Sequence, residues 1–372
     1  MPGAGYIFAG GGTGGHLFPG MAVAEELRRQ LPDVAVEFWG TERELERRIL
    51  AENGWTHRSM TGEPSTNFRR HPLRVLRGHW CAFRQARQWL AAQPPAAVIG
   101  LGGFSSAPVV YAAHRLRIPI LLLEQNIIPG RATKYLSRWS DVVCTSFPQT
   151  ETFLSNRCHI EVTGNPISRE LTDHARSHHA ADFTSPQERP RLLILGGSQG
   201  ASAINQALID ALPRLFPHLQ SWHIVHQTGA ADVEQVRSAY AERHIEATVA
   251  AFLSPMSPWY AHTECVVSRA GATTLAELAC CGIPAILIPY PHAVNQHQLK
   301  NAEYYRERLA AVIVEQQGSQ PVFAEKLTDQ LVGMLTDTQR RKQMSEAMQN
   351  LAIPDAATTV AGLIAKLTPS RT

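Results

Sequence analysis

The sequence predicts an α/β chain made of two doubly wound, parallel-sheet domains in tandem. Three observations carry this. Short apolar runs alternate with helix-length stretches, the runs fall into two sets of six, and several runs end in a glycine cluster that opens the next helix. The length of 372 residues agrees, being too long for one compact core and suited to two domains of about 150 to 200 residues.

The first six strands are expected at residues 6–9, 34–39, 97–100, 118–123, 141–145 and 160–163. The second six are expected at 192–195, 222–226, 248–252, 265–267, 285–288 and 311–314. Each run is closed by Gly, Asn, Asp or Pro, and the intervals leave room for the crossover helices that parallel pairing requires. From Glu170 to Arg191 the chain is polar, rich in His, Ser and Pro, and without an apolar period, so it reads as a joining segment. Domains at 1–168 and 191–354, joined by 169–190, follow.

Composition narrows the function classes. A hydrophobic share of 44% with 18% charged residues excludes a disordered, coiled-coil or collagen-like chain. Lys plus Arg 35 against Asp plus Glu 32 leaves +3, which is no nucleic-acid signature. Residues 1–5 carry no charged leader, and apolar stretches such as 120–123 fall far short of the roughly 20 residues a span needs. A cytosolic chain is expected. The six cysteines, at 81, 144, 158, 265, 280 and 281, show no CxxC spacing, so neither a disulfide framework nor a zinc site is indicated.

Charge is uneven along the chain. No Asp or Glu occurs between Pro64 and Leu123, where Arg69, Arg70, Arg74, Arg77, Arg84, Arg87, Arg115 and Arg117 interleave with Phe68, Leu73, Val75, Leu76, Trp80, Phe83 and Trp89. A basic, amphipathic helix on an anionic bilayer surface is one reading. A solvated arginine face over an ordinary core helix is the other.

Three glycine turns follow strands and precede helices: Gly10 to Gly15 before His16, Gly100 to Ser106, and Gly196 to Gly200. Such a turn exposes backbone N–H groups at the positive end of a helix, which suits phosphate. Gly10, Gly12 and Gly15 match the dinucleotide pattern, but neither Glu37 nor Glu42 sits where a ribose-binding acid belongs, so a nicotinamide cofactor is not favoured. Three phosphate-friendly turns in two domains instead suggest two phosphate-bearing substrates facing one cleft. A fourth turn, Ser268 to Gly271, leads into a helix containing Thr274 and Glu277, which have capping-box spacing, and Gly282 with Pro284 ends that helix. Glu277 is thus either a cap partner or an acceptor for the two hydroxyls of a ribose. The amide-rich stretch from Pro289 to Ala302 suits sugar hydroxyls.

Taken together, GGTGGH (Gly11 to His16), GLGGFSSAP (Gly100 to Pro108), EQN (Glu124 to Asn126), GNP (Gly164 to Pro166), GGSQGA (Gly196 to Ala201), RAGATTLAEL (Arg269 to Leu278) and HQLKNA (His297 to Ala302) resemble glycosyltransferase family 28, over nearly the whole chain and in order. The resemblance implies the GT-B fold, with an interdomain cleft and a C-terminal helix, here Ala356 to Leu367, returning to the first domain, which then includes about 355–372. It implies an inverting N-acetylglucosaminyltransferase that moves the sugar from UDP-N-acetylglucosamine to the C4 hydroxyl of N-acetylmuramic acid in lipid I, making lipid II for peptidoglycan. UDP-N-acetylglucosamine, lipid I and the anionic inner face of the bacterial inner membrane are the implied partners, with other cell-wall synthesis proteins beyond them.

Carried over by position, Ser198, Gln199 and Gly200 touch the donor diphosphate, Phe252 and Leu253 frame the uracil, and Glu277 holds the ribose. Gly271, Ala272, Thr273, His297 and Gln298 complete the donor side, with Arg169 and, from the first domain, Thr13, Gly14, Gly15 and Asn126. The acceptor side comprises Gly14, Gly15, His16, Gly102, Gly103, Phe104, Ser105 and Asn126. His16 is the expected base, with Glu124 as the alternative, because a hydroxyl nucleophile must lose its proton as the bond forms. Membrane contact falls to Phe68, Arg69, Arg70, Arg74, Leu76, Arg77, Trp80, Phe83 and Arg84. No cofactor or metal is called for; Mg²⁺ is compatible, and no Asp-x-Asp pair occurs. The chain departs from the family pattern at Leu123, where His is common, at Ser168 preceding Arg169, where Arg often comes first, and at His297, where Gln also occurs. Another UDP-sugar transferase or a UDP-sugar 2-epimerase is the alternative on this scaffold. A nicotinamide oxidoreductase and a non-catalytic membrane scaffold are the alternatives from other classes.

Overall fold

The computed structural model describes residues 5–11, 14–60, 72–177, 189–197 and 200–367. The chain divides into two compact units, one of residues 1–168 with 354–372, the other of residues 169–353.

The first unit runs β1 (Tyr6–Gly10), α1 (Gly14–Gln30), β2 (Val36–Gly40), α2 (Glu44–Glu52), β3 (Thr56–Ser59), α3 (Pro72–Ala92), β4 (Ala97–Gly102), α4 (Ser106–Leu116), β5 (Ile120–Glu124), α5 (Arg131–Leu136), β6 (Val142–Thr145) and β7 (His159–Val162). Its strands form one parallel sheet in the order β3-β2-β1-β4-β5-β6-β7. Alternate residues of a central strand enter opposite cores: Phe8 packs with Leu17, Leu27 and Phe38, whereas Ile7 and Ala9 pack with Val98, Val109 and Leu122. Burial on both faces explains why these strands read as unbroken apolar runs.

The second unit contains α6 (Arg169–Ser177), β8 (Arg191–Leu195), α7 (Ser202–Leu219), β9 (His223–Gln227), α8 (Val233–Ala241), β10 (Ala247–Ala250), α9 (Ser257–Tyr260), β11 (Thr263–Ser268), α10 (Ala272–Cys281), β12 (Ala285–Leu287), α11 (His297–Glu307), β13 (Ala311–Ile313), α12 (Gln320–Thr336) and α13 (Thr338–Gln349). Its parallel sheet is ordered β10-β9-β8-β11-β12-β13. The closing helix, α14 (Ala356–Leu367), packs on α1 of the first unit. Its Val360, Ala361 and Ile364 join the core of Leu17, Val23 and Leu27, and Thr358 donates to Glu26.

Four expectations change. The first sheet has seven strands, because Thr56–Ser59 pairs with β2 at the sheet edge; its polar residues give no apolar run to detect. The polar segment expected as a joining stretch begins with α6, which packs on α9 and α10 of the second unit through a narrow face including buried Leu171 and Thr172. The strand expected through Phe252 ends at Ala250, placing Phe252 and Leu253 in the following turn. The capping box at Thr274 and Glu277 is not formed: α10 starts at Ala272 with Gly271 as its N-cap residue, and no side chain caps it. Its other end follows the sequence signal, Gly282 standing at φ +63°. Among the described residues, no helix is long and apolar enough to cross a membrane.

Candidate active site

In the first unit, three turns meet at the carboxyl ends of β1, β4 and β5. Helices α1 and α4 pack on opposite faces of the sheet where β1 and β4 adjoin, the switch-point arrangement at which open α/β sheets bind ligands. The glycines are required by contact. A methyl group on Gly10 would stand 2.6 Å from the Gly102 carbonyl oxygen, and Gly102 and Gly103 hold φ of +92° and +74°. His16, in the first turn of α1, lies over Gly102, whose Cβ position is 3.3 Å from His16 Nε2 and 3.9 Å from the Thr133 hydroxyl. Gly14 and Gly15 begin the same helix. Ser106, the last residue of the second glycine turn, donates to the Gly103 carbonyl at 2.9 Å and fixes that turn. Ser105 is the N-cap residue of α4. Phe104 is exposed, with His79 of α3 set edge-on at 4.8 Å.

Glu124 is buried at the end of β5. Its Oε1 accepts from the Asn126 N–H at 3.1 Å and from Asn126 Nδ2 at 3.4 Å, and its Oε2 from the Gly130 N–H at 3.0 Å. The Thr133 hydroxyl bonds it as well, so burial pushes the carboxyl up while four hydrogen bonds oppose the rise. A carboxylate so engaged braces the turn that presents Asn126. It has little lone-pair capacity left for abstracting a proton.

In the second unit, Gly197 and Gly200 follow β8 at φ of +81° and +77°, and a Cβ at Gly200 would meet the Thr228 carbonyl oxygen at 2.5 Å. Gln227, buried at the end of β9, ties two turns together: its Nε2 donates to the Gly197 carbonyl at 3.1 Å, and its Oε1 accepts from the Leu253 N–H at 2.9 Å. Sequence reasoning missed it, since a single Gln in an apolar strand carries no motif. Leu253 is buried and Phe252 half-exposed. Gly271, Ala272 and Thr273 form the start of α10, and Asn301 of α11 donates to the preceding Ala270 carbonyl at 3.5 Å.

Glu277 stands in the second turn of α10, and the Tyr260 hydroxyl donates to its Oε2 at 2.7 Å. The residue keeps part of its surface open, but its carboxyl head is withdrawn from water, which pushes it up to about 7 against the pull of the tyrosine bond. Gln298 accepts from the Tyr290 N–H at 2.9 Å, and His297 Nδ1 faces the Val294 carbonyl at 2.8 Å. Just before them, Asn295 and Gln296 hold φ of +53° and +54°, a costly conformation for non-glycine residues that gathers at ligand sites. Arg169 is exposed at the start of α6 and pairs with Asp173 on its own helix. Thr13, Phe68, Arg69, Arg70, Ser198 and Gln199 lie outside the described residues.

Comparison with known proteins matches residues 6–145 to the glycosyltransferase family 28 N-terminal domain and residues 191–360 to the glycosyltransferase family 28 C-terminal domain. A UDP-N-acetylglucosamine--N-acetylmuramyl-(pentapeptide) pyrophosphoryl-undecaprenol N-acetylglucosamine transferase of Syntrophotalea carbinolica is 40% identical, covering 94% of this chain and 95% of its own. The protein of that name from an Anaeromyxobacter species is 39% identical, covering 98% and 94%. Among solved structures, a MurG of Acinetobacter baumannii aligns with a TM-score of 0.76 at 29% identity, over 98% of this chain and 99% of that one. A putative UDP-N-acetylglucosamine 2-epimerase of Listeria monocytogenes reaches 0.67 at 13% identity, over 99% and 97%, a likeness of fold alone.

Replacing Gln227 by leucine leaves the Leu253 N–H and the Gly197 carbonyl without their partner. We expect a loss of about 1–3 kcal/mol and faster amide exchange in peptides spanning 196–201 and 250–254. Unchanged exchange in both would show that Gln227 does not hold these turns.

Proposed function

The chain belongs to glycosyltransferase family 28, and from that premise we propose that it transfers N-acetylglucosamine from UDP-N-acetylglucosamine to the C4 hydroxyl of N-acetylmuramic acid in lipid I, forming lipid II. The support is the match to both domains of the family, together with relatives named as that transferase aligned over nearly the full length. Both units have the Rossmann-like, parallel-sheet build of the GT-B class.

The observation that carries the donor assignment is Glu277. It is a carboxylate near a helix start, hydrogen-bonded through one oxygen only, with no cation paired to it among the described residues. It has acceptor capacity for two ribose hydroxyls, while the N–H groups at the starts of α7 and α10 face the diphosphate and offset its growing charge. Phe252 and Leu253 frame the base, and Gln298 and His297 read the sugar. In the first unit, the N–H groups around Gly14, Gly15, Gly102 and Gly103 receive the lipid pyrophosphate, beside Phe104, Ser105 and Asn126. His16 accepts the proton of the C4 hydroxyl as that oxygen attacks C1 of the α-configured sugar. The C1–O bond to UDP breaks, its electron pair leaves with UDP, and the anomeric centre inverts. Glu124 acts through the Asn126 turn rather than as the base.

The membrane assignment falls to α3. Its buried side is Val75, Ala82, Ala86 and Leu90, while Leu73, Leu76 and Trp80 stand 80%, 57% and 60% exposed at helical spacing, beside Arg74, Arg77 and Arg84. Phe83 is half-buried, its ring tilted 34° to that of Trp80 at 5.5 Å. Exposed apolar groups ringed by arginine suit the inner face of an anionic bilayer, where a polyprenyl-linked acceptor resides.

Two outcomes test this reading. His16→Ala and Glu277→Gln should each lower transfer from labelled UDP-N-acetylglucosamine to a lipid I analogue by about tenfold or more, His16→Ala chiefly in kcat and Glu277→Gln chiefly in the donor KM. Because Glu277 sits near pH 7, the wild-type donor KM should rise as pH falls through 7 and protonation removes an acceptor; Glu277→Gln should flatten that rise. A wild-type donor KM independent of pH between 6 and 8 would contradict the ribose role. Separately, Leu76→Ser with Trp80→Ser should cut partition onto vesicles containing anionic lipid by about tenfold; unchanged partition would remove α3 from the membrane face.

A further inference from the structure

We infer that Tyr260 is a positioning residue for nucleotide recognition, aiming the Glu277 carboxylate at the ribose. The inference rests on the donor reading above and goes beyond it, because no feature of the sequence singled Tyr260 out. Tyr260 ends α9, a single turn, and is 4% exposed. That turn is clamped from β8, since Arg191 Nη1 donates to the carbonyls of Pro258, Trp259 and Ala261. Thr263 donates to the Trp259 carbonyl at 2.7 Å, and the Ser257 hydroxyl donates to Glu170 of α6. The phenol therefore projects from a fixed backbone.

The direction of the bond matters as much as its length. Tyr260 donates its proton to Oε2 at 2.7 Å, and the phenol holds that proton firmly, since burial beside Glu277 raises it well above its ordinary value. A donor at Oε2 stabilises the ionised carboxylate and pins its rotation, leaving Oε1 without a hydrogen bond among the described residues. Glu277 and Cys281 are the titratable groups acting on Tyr260. The bond thus opposes the burial that favours the neutral acid and orients the carboxylate as an acceptor for two vicinal hydroxyls.

The test uses the full-length chain with Tyr260→Phe, which deletes only the hydroxyl. The donor KM should rise about five- to tenfold with kcat within about twofold, since the lost interaction is equal in ground and transition states. UDP and 2′,3′-dideoxy-UDP are then compared as competitive ligands. The variant should lose five- to tenfold for UDP and nothing for the dideoxy analogue. In a Glu277→Gln background, Tyr260→Phe should add no further loss. An equal loss for both ligands, or an unchanged donor KM, overturns the inference. A wild type that binds the two ligands equally overturns the ribose assignment beneath it.

Discussion

Close approach of backbone to backbone at the ends of parallel strands is the constraint on which the rest of the structure depends. A single carbon added at Gly10 would collide with the Gly102 carbonyl oxygen in the first unit, and one added at Gly200 with the Thr228 carbonyl oxygen in the second. The absence of side chains lets neighbouring turns pack, with the starts of α1, α4 and α7 directly behind them at the strand ends, a placement that suits an anion. Each sheet has its switch point at this edge, between β1 and β4 and between β8 and β11.

Two glutamates show how partners, not residue type, decide what a buried carboxylate does. Glu124 is held by the Asn126 and Gly130 N–H groups and by the side chains of Asn126 and Thr133, and so it organises a turn. Glu277 receives one phenol proton and keeps the remainder of its acceptor capacity. The first is suited to fixing geometry, and the second to meeting a ligand. Gln227 and Asn301 add a further layer, since each joins a strand-end turn to a neighbouring element. The turns are therefore stiffened by side chains bound to their backbone groups.

Much of this was legible in the residues. The central strands were readable because burial on both faces forces continuous apolar runs, and α14 because its apolar period follows Pro354. Edge strand β3 was not, as one exposed side and four polar residues leave no period to detect. The first turns of the apparent joining stretch hid α6, whose packing face is too narrow to register against its charged surroundings. The glycine turns, His16 and Glu277 stood out through motif and spacing. Tyr260 and Gln227 did not, because their significance lies in a contact with a residue distant in sequence or in a backbone group, and one sequence displays neither.

The most direct test of the account is amide exchange of the full chain with and without UDP. Peptides covering 192–204 and 269–278 should gain protection, because the N–H groups at the starts of α7 and α10 and the Glu277 turn take up the nucleotide. Protection confined to peptides around residues 6–18, with none in the second unit, would contradict it.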